Sequence, residues 1–292
     1  ELQLIEPVLQ ALSKEGYTTP TPIQQQAIPH ILQGKDLLGC AQTGTGKTAA
    51  FALPLLQRLM GRPKGQLRGL ILAPTRELAD QICVSINKLG AKTGLRCATI
   101  YGGKVNYIEQ YRTLRGGIDI VVACPGRLLD LLQGGKSKRE QANLHHIEIL
   151  VLDEADHMFD LGFREPIYHI LKYLPKQRQN LLFSATMSAD IRVLADKVLN
   201  NPVSIKIGES APANTVTQTL FPISEALKTD LLERILQNNA VQSAIIFTRT
   251  KHRAKRLAEH LGYLGYKATS FQGNLSQSKR KIALGKFRHG EL

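Results

Sequence analysis

The eight-residue segment AQTGTGKT, residues 41–48, most constrains what this chain can fold into. It follows a short apolar run at residues 36–40 and precedes residues 49–60, whose apolar side chains have helical spacing. A strand, a glycine-rich turn and a helix in this order bring backbone N–H groups and a helix N-terminus together, which favours phosphate binding. The alternative is an ordinary loop before a helix, since the strict pattern has Gly where Ala41 stands.

The loop residues have distinct expected roles. The Lys47 ammonium is expected to reach the β- and γ-phosphates of a nucleoside triphosphate, and the Thr48 hydroxyl is expected to hold Mg²⁺. The other residues expected to contact the nucleotide are Thr43, Gly44, Thr45 and Gly46.

An acidic turn follows another predicted strand, residues 147–152. Asp153 at this strand tip can hold Mg²⁺ through water, and Glu154 can orient and deprotonate an attacking water. Acidic turns after strands are common, so this turn indicates a nucleotide site only because it follows the phosphate loop in the chain. The sequence therefore predicts Lys47, Asp153 and Glu154 as the catalytic set.

Two hydroxyl residues, Ser184 and Thr186, follow a strand predicted at residues 180–183. They could bond to the acidic turn, including Asp156, and transmit the state of the nucleotide. A helix N-cap is the alternative interpretation.

A proline-containing turn at residues 16–24 precedes a helix predicted at residues 23–32. A Gln amide offers a donor and an acceptor together, so Gln24 can read an adenine edge, and Tyr17 could stack on the base. Taken alone, this segment is typical of a simple proline turn.

Three further predicted strands, residues 69–73, 97–101 and 119–123, end in small residues or an arginine. The carboxyl ends of parallel strands are where α/β sheets bind ligands, which suggests a track for a phosphate backbone. Helix caps and turns need the same residue types. The residues expected along the track are Pro74, Thr75, Arg76, Gly102, Gly103, Pro125, Gly126 and Arg127.

A length of 292 residues favours two domains. After a last strand at residues 203–207, residues 209–216 read as a linker, which separates a first domain, 1–208, from a second, 217–292. In the second domain, strands are predicted at 217–222, 243–248 and 267–270, and helices at 226–236, 252–261 and 277–287. An amphipathic helix is predicted at residues 2–15.

The chain is strongly basic, with a formal net charge of +14, which favours a polyanionic partner. Residues 1–208 hold 25 Lys and Arg against 18 Asp and Glu, and residues 209–292 hold 13 against 6. A solvated helix face is the usual explanation of a charge run. Nucleic acid is favoured because both parts are basic and a nucleotide site is predicted.

Four cysteines without C-x-x-C spacing predict reduced thiols rather than a metal or disulfide site. No signal peptide and no apolar run of membrane-spanning length is visible. These features predict a cytoplasmic protein with no membrane partner; a nuclear location stays open for a eukaryotic source.

Together, these motifs resemble the DEAD-box family of ATP-dependent RNA helicases, and the general character resembles its bacterial RhlE-like branch. The resembling segments are residues 16–24 (Q motif), 41–48 (motif I), 74–78 (Ia), 102–103 (GG), 124–127 (Ib), 153–156 (II), 184–186 (III), 245–248 (IV) and 277–280 (Q-x-x-R). The resemblance implies an α/β fold in which a RecA-like parallel sheet flanked by helices is followed by a second, incomplete RecA-like domain.

The resemblance also implies ATP and Mg²⁺ as cofactors and RNA as the partner, held with little base specificity and unwound or remodelled locally. It adds Gln277 and Arg280 to the RNA-binding set, and it gives Asp156, Ser184 and Thr186 a coupling role. Three departures from the family are visible. The aromatic residue upstream of the Q motif would precede Glu1, Cys124 replaces the usual Thr, and the chain ends before motifs V and VI.

Two other functions stay open beside an RNA-remodelling ATPase. One is an ATP- and RNA-binding module with little turnover, because motif VI supplies the finger arginines in the family. The other is a DNA-directed motor of the wider helicase class.

Overall fold

A seven-stranded parallel sheet forms the centre of the first of two structural units. The computed structural model describes residues 2–61, 65–103, 107–134, 142–208, 216–237 and 241–292, and it divides the chain into the units Glu1–Ser210 and Ala211–Leu292. Residues 209–215 of the predicted linker lie outside the described residues.

All seven strands of the sheet are parallel and lie in the order β3-β4-β2-β5-β6-β1-β7. In chain order they are β1 Leu37–Cys40, β2 Gly69–Leu72, β3 Cys97–Ile100, β4 Ile120–Ala123, β5 Ile149–Leu152, β6 Gln179–Ser184 and β7 Val203–Lys206. Each was predicted from the sequence, and the sheet confirms the predicted fold class. Because the strands are parallel, the loops that follow them all emerge at one edge of the sheet.

Nine helices of the described part of the first unit flank this sheet. They are α1 Glu6–Lys14, α2 Pro22–Leu32, α3 Lys47–Leu59, α4 Arg76–Leu89, α5 Tyr107–Arg115, α6 Pro125–Leu132, α7 Ala155–Asp160, α8 Arg164–Leu171 and α9 Ala189–Val198. The sequence predicted α1, α2 and α3, and it also predicts a helix opened by residues 74–78 (α4) and one that follows residues 124–127 and runs through residue 132 (α6). It did not predict α5 or α7 to α9.

Apolar side chains cover both faces of the sheet. On one face, Leu37 and Ile71 pack with residues of α2, α3 and α4, and Phe51 packs against Phe183 at 5.6 Å between ring centroids. On the other face, Leu70 and the neighbouring strands pack against α6, α8 and α9. Burial on both faces explains why the central strands are continuous apolar runs rather than alternating ones.

A buried carboxylate, Asp36, holds the amino-terminal edge of the sheet together. Its Oδ1 accepts from the Asn180 backbone N–H at 2.7 Å, and its Oδ2 accepts from the Asn180 amide at 3.1 Å and the Asn200 N–H at 2.7 Å. These bonds tie the start of β1 to β6 and to the segment before β7.

The second unit has helices α10 Lys228–Leu236, α11 Lys251–Tyr263 and α12 Gln277–Arg288, as predicted, with a 3₁₀ turn at Glu225–Leu227 before α10. The strand predictions at residues 217–222, 243–248 and 267–270 are wrong for the described residues, which contain no strand in this unit. These segments do not pair with one another, and extended backbone becomes a sheet only when a neighbouring strand supplies hydrogen bonds. None of the helices in the described ranges is long and apolar enough to cross a membrane.

Candidate functional site

The glycine-rich loop at residues 41–48 joins β1 to the first residue of α3, as predicted. Gly44 and Gly46 have φ angles of +84° and +92°, a left-handed conformation that side chains disfavour. The buried Lys47 side chain folds back so that its ammonium donates to the Ala41 carbonyl at 2.8 Å. The loop therefore presents a helix N-terminus and an ammonium group at the same place.

Gln24 lies against this loop rather than apart from it. Its side-chain oxygen accepts from the Thr21 N–H at 3.0 Å, and its amide nitrogen donates to the Gly46 carbonyl at 3.2 Å. A Cβ added at Gly46 would lie 2.6 Å from that amide nitrogen, so the loop and the Gln24 side chain fit together only through a glycine. Tyr17, at the start of the same turn, is 45% exposed.

Asp153 follows β5 and is buried beside Lys47. Burial raises the pKa of this carboxyl to about 7, although the Lys47 charge opposes the rise and Glu154 adds to it. A divalent cation would supply the positive charge that this buried carboxylate lacks, and carboxylate and hydroxyl oxygens suit Mg²⁺. The donor set of Asp153 and Thr48 therefore fits the predicted metal.

Glu154 is the N-cap of α7 and has a left-handed backbone, with φ +52° and ψ +53°. This conformation is uncommon for a residue other than Gly, Asn or Asp, and such conformations cluster at functional sites. The Glu154 N–H donates to Asp153 Oδ1 at 3.1 Å, which ties the Asp153 carboxylate to the Glu154 backbone.

Asp156 joins the acidic turn to the segment after β6. Its Oδ2 accepts from both the N–H and the hydroxyl of Thr186, at 2.8 and 2.9 Å. Burial alone would raise the pKa of Asp156, but the hydrogen bonds from Thr186 outweigh it and hold the pKa below its usual range. The predicted contact of Thr186 with the acidic turn is present, whereas the buried Ser184 hydroxyl has no hydrogen-bond partner among the described residues.

The predicted phosphate track lies along the loops after β2, β3 and β4. Thr75 caps α4, since its hydroxyl accepts from the Leu78 N–H at 3.2 Å. Arg76 lies directly beside Gly103, whose φ is +111°, and a Cβ added there would lie 2.9 Å from the Arg76 guanidinium carbon. A Cβ added at Gly102 would meet no atom of the described residues within 4 Å. The absence of a side chain at Gly103 thus leaves room for the arginine.

Arg127, in α6, contacts three side chains. Its guanidinium donates to Gln110 Oε1 at 3.4 Å, lies 4.0 Å from Asp130 and stacks over the Tyr107 ring at 5.8 Å from its centroid. Pro125 and Gly126 form the first turn of this helix. Gln110 and Tyr107 belong to α5, which sequence reasoning missed, and no motif marks either residue as a partner of Arg127.

Gln277 and Arg280 lie in α12 of the second unit, where the Arg280 guanidinium stacks 4.6 Å from the Phe271 ring centroid. Their predicted role in RNA binding stays a prediction.

The fold and the loop define the class of parallel α/β proteins that carry a phosphate loop at a strand tip. A family model described as "DEAD/DEAH box helicase" matches residues 21–194, and one described as "Helicase conserved C-terminal domain" matches residues 227–292. The chain therefore belongs to the DEAD/DEAH box helicase family, which confirms the resemblance found in the sequence. The RhlE-like branch stays a prediction.

Several relatives match over nearly the whole chain. The ATP-dependent rRNA helicase rrp3 of Aspergillus niger is 45% identical over 99% of the chain and 61% of its own length. The DEAD-box ATP-dependent RNA helicase RhpA of Helicobacter pylori strain B128 is 41% identical over 100% and 58%. A crystal structure of a DEAD box protein from Methanococcus jannaschii aligns with a TM-score of 0.65 and 34% identity, covering 100% of this chain and 77% of the other. The chain thus spans about three fifths of these curated relatives.

Proposed function

We propose that this protein is an ATP-dependent RNA helicase, an RNA-stimulated ATPase that couples hydrolysis to local unwinding or remodelling of RNA. The observation that carries the proposal is the glycine-rich loop that holds Lys47 at the start of α3, with the buried Asp153 near enough for the Lys47 charge to act on its carboxyl. Membership of the helicase family and the printed names of the relatives support the RNA assignment.

The phosphate loop is the nucleotide-binding part of the proposal. Backbone N–H groups of residues 43–46 surround the phosphates, and Lys47 leaves the Ala41 carbonyl to pair with the β- and γ-phosphates. Thr48 and Asp153 would hold Mg²⁺, which would neutralise charge on the phosphate oxygens. Glu154 accepts the proton of the attacking water.

Base selection is assigned to Gln24 and Tyr17. Each polar atom of the Gln24 amide makes one hydrogen bond, so its oxygen keeps a lone pair and its nitrogen keeps a second hydrogen for the adenine edge. We expect Gln24→Ala to weaken ATP binding more than GTP binding. Because Gln24 also supports Gly46, some loss for both nucleotides is expected; equal loss would refute adenine recognition.

RNA is the proposed partner, bound through its phosphates with little base specificity. The first domain, residues 1–208, contributes the track around Arg76, Gly103 and Arg127. The second, residues 217–292, contributes Gln277 and Arg280 after a linker at 209–216. The proposed location is the cytoplasm.

Coupling between nucleotide and RNA is assigned to Asp156, Ser184 and Thr186. The two hydrogen bonds from Thr186 to Asp156 connect the acidic turn to the segment after β6, which leads into α9. A change at Glu154 on hydrolysis can therefore reach a second loop on the same edge of the sheet.

A competition experiment tests the choice of nucleic acid. ATP hydrolysis is measured with ribo- and deoxyribo-oligonucleotides of the same sequence and length, separately and in competition. Stimulation by the RNA alone is the expected result. Equal stimulation by the ribo- and deoxyribo-oligonucleotides would refute the RNA assignment and support a DNA-directed motor.

A further inference from the structure

His157 lies in the first turn of α7, three residues after Glu154. Its Nδ1 is 3.4 Å from Glu154 Oε2. An ionised carboxylate only accepts hydrogen bonds, so the contact requires the proton on Nδ1 and fixes the tautomer of a neutral imidazole. No sequence motif singled out this histidine, and its partner is the carboxylate proposed to act on water.

The Glu154 backbone is held firmly, but its side chain is not. The left-handed backbone and the bond from the Glu154 N–H to Asp153 fix where the side chain starts. Among the described residues, His157 is the one hydrogen-bond partner of the Glu154 carboxylate. A glutamate side chain with free torsions populates several staggered rotamers, so an unrestrained carboxylate points in several directions.

We propose that His157 is a positioning residue that holds the Glu154 carboxylate in the orientation needed to accept a proton from the attacking water. This inference rests on the proposed ATPase function and assigns a residue to it. The imidazole acts through Glu154 and takes no part in the chemistry itself.

The helix that carries His157 is itself anchored to the coupling segment. The His157 N–H donates to Asp156 Oδ1 at 3.1 Å, while the other oxygen of Asp156 receives both bonds from Thr186. A shift of the segment after β6 therefore moves the imidazole and, through it, the Glu154 carboxylate. His157 thus extends the coupling path by one residue, to the base.

Stability does not explain the contact. Both side chains are partly exposed, His157 by 47% and Glu154 by 19%, and exposed pairs of this kind contribute little to folding. Removing the imidazole should therefore leave the fold intact, which separates a role in positioning from a structural role.

The test measures RNA-stimulated ATP hydrolysis by the protein expressed from its full reading frame. General-base catalysis contributes about 10²–10⁴-fold, and losing part of the base's orientation should cost a fraction of this. We expect His157→Ala to lower kcat about 3–10-fold, with the KM values for ATP and RNA within about twofold. His157→Gln keeps an N–H donor of similar reach and should restore kcat to within about twofold of the wild type.

The matched control is His146→Ala, which removes an exposed histidine from a turn before β5 and should change nothing. Unchanged kcat in His157→Ala would overturn the positioning role. So would a Gln variant as slow as the Ala variant, or a loss confined to KM. If the wild type itself hydrolyses no ATP with RNA, the proposed function fails as well. If Glu154→Gln is inactive while His157→Ala is normal, only the positioning role fails.

Discussion

Gly103 provides a sharp test of the proposed RNA track, because one added methyl group should displace one arginine. Its φ of +111° disfavours any side chain, and an alanine Cβ would lie 2.9 Å from the Arg76 guanidinium carbon and overlap a terminal nitrogen. Because the Arg76 guanidinium lies at the end of a flexible side chain, it moves away from the added Cβ more easily than the backbone would. We therefore expect Gly103→Ala to fold with Arg76 turned away from the track.

The size of the effect follows from the loss of one phosphate contact. For a single strand, each contact contributes about 0.7 to the slope of log affinity against log salt concentration, so this slope should fall by about 0.7. At moderate salt we expect RNA affinity to fall about 5–10-fold, whereas ATP affinity stays unchanged because the phosphate loop is untouched. The left-handed backbone also costs about 1–2 kcal/mol of stability.

The assay is fluorescence anisotropy of a labelled single-stranded RNA at four or more salt concentrations. Gly61→Ala is the control for backbone strain, since Gly61 has a φ of +77° and no atom of the described residues lies within 4 Å of its Cβ position. It should lose stability but bind RNA normally. In the double variant with Arg76→Ala, Gly103→Ala should add no further loss of affinity. Additive losses, or an unchanged salt slope, would refute the displacement of Arg76.

Three further predictions concern ionisation and buried polar groups. Because burial raises the pKa of Asp153 to about 7, binding of Mg²⁺ with nucleotide should strengthen about tenfold per pH unit up to about pH 7 and then level off. Titration calorimetry should find this slope missing in Asp153→Asn, and a slope shared by both proteins would contradict it. Burial raises the pKa of the Cys124 thiol to about 12, so iodoacetamide at pH 8 should modify the half-buried Cys40 and spare Cys124, as read by mass spectrometry. Asp36→Ala leaves two backbone N–H donors without their acceptor and should cost about 2–4 kcal/mol in urea unfolding; a loss below about 1 kcal/mol would contradict this.

The sheet could be predicted from the sequence because its strands are covered on both faces. Strands such as β2 and β4 are continuous apolar runs ended by small or charged residues. The helices that the sequence analysis missed differ in how clearly the sequence marks them. In α9, Ile191, Leu194, Ala195 and Val198 do have helical spacing after the Ser188 cap, so this helix could have been found. In contrast, α7 has six residues and follows a glutamate with a left-handed backbone, a conformation that helix propensities do not predict.

The gathering of the motifs at one edge also follows from the sequence, since parallel strands end at the same edge. The contacts within the site do not. Gln110 reaches Arg127 from a different helix, and His157 reaches Glu154 through a side-chain rotamer. In the second unit, apolar segments such as residues 243–248 indicated burial, but a sequence pattern does not say whether a neighbouring strand is present to pair with them.

Glu154 is the proposed base in an RNA-stimulated hydrolysis of ATP bound at the phosphate loop. The most direct test measures phosphate release with and without RNA for the wild type and Glu154→Gln, together with the affinity of a fluorescent ATP analogue. The wild type should release phosphate faster with RNA. The variant should bind the analogue within about threefold but release phosphate at least about 100-fold more slowly. Equal release by the two proteins, or a wild type that binds ATP and RNA without releasing phosphate, would contradict the claim.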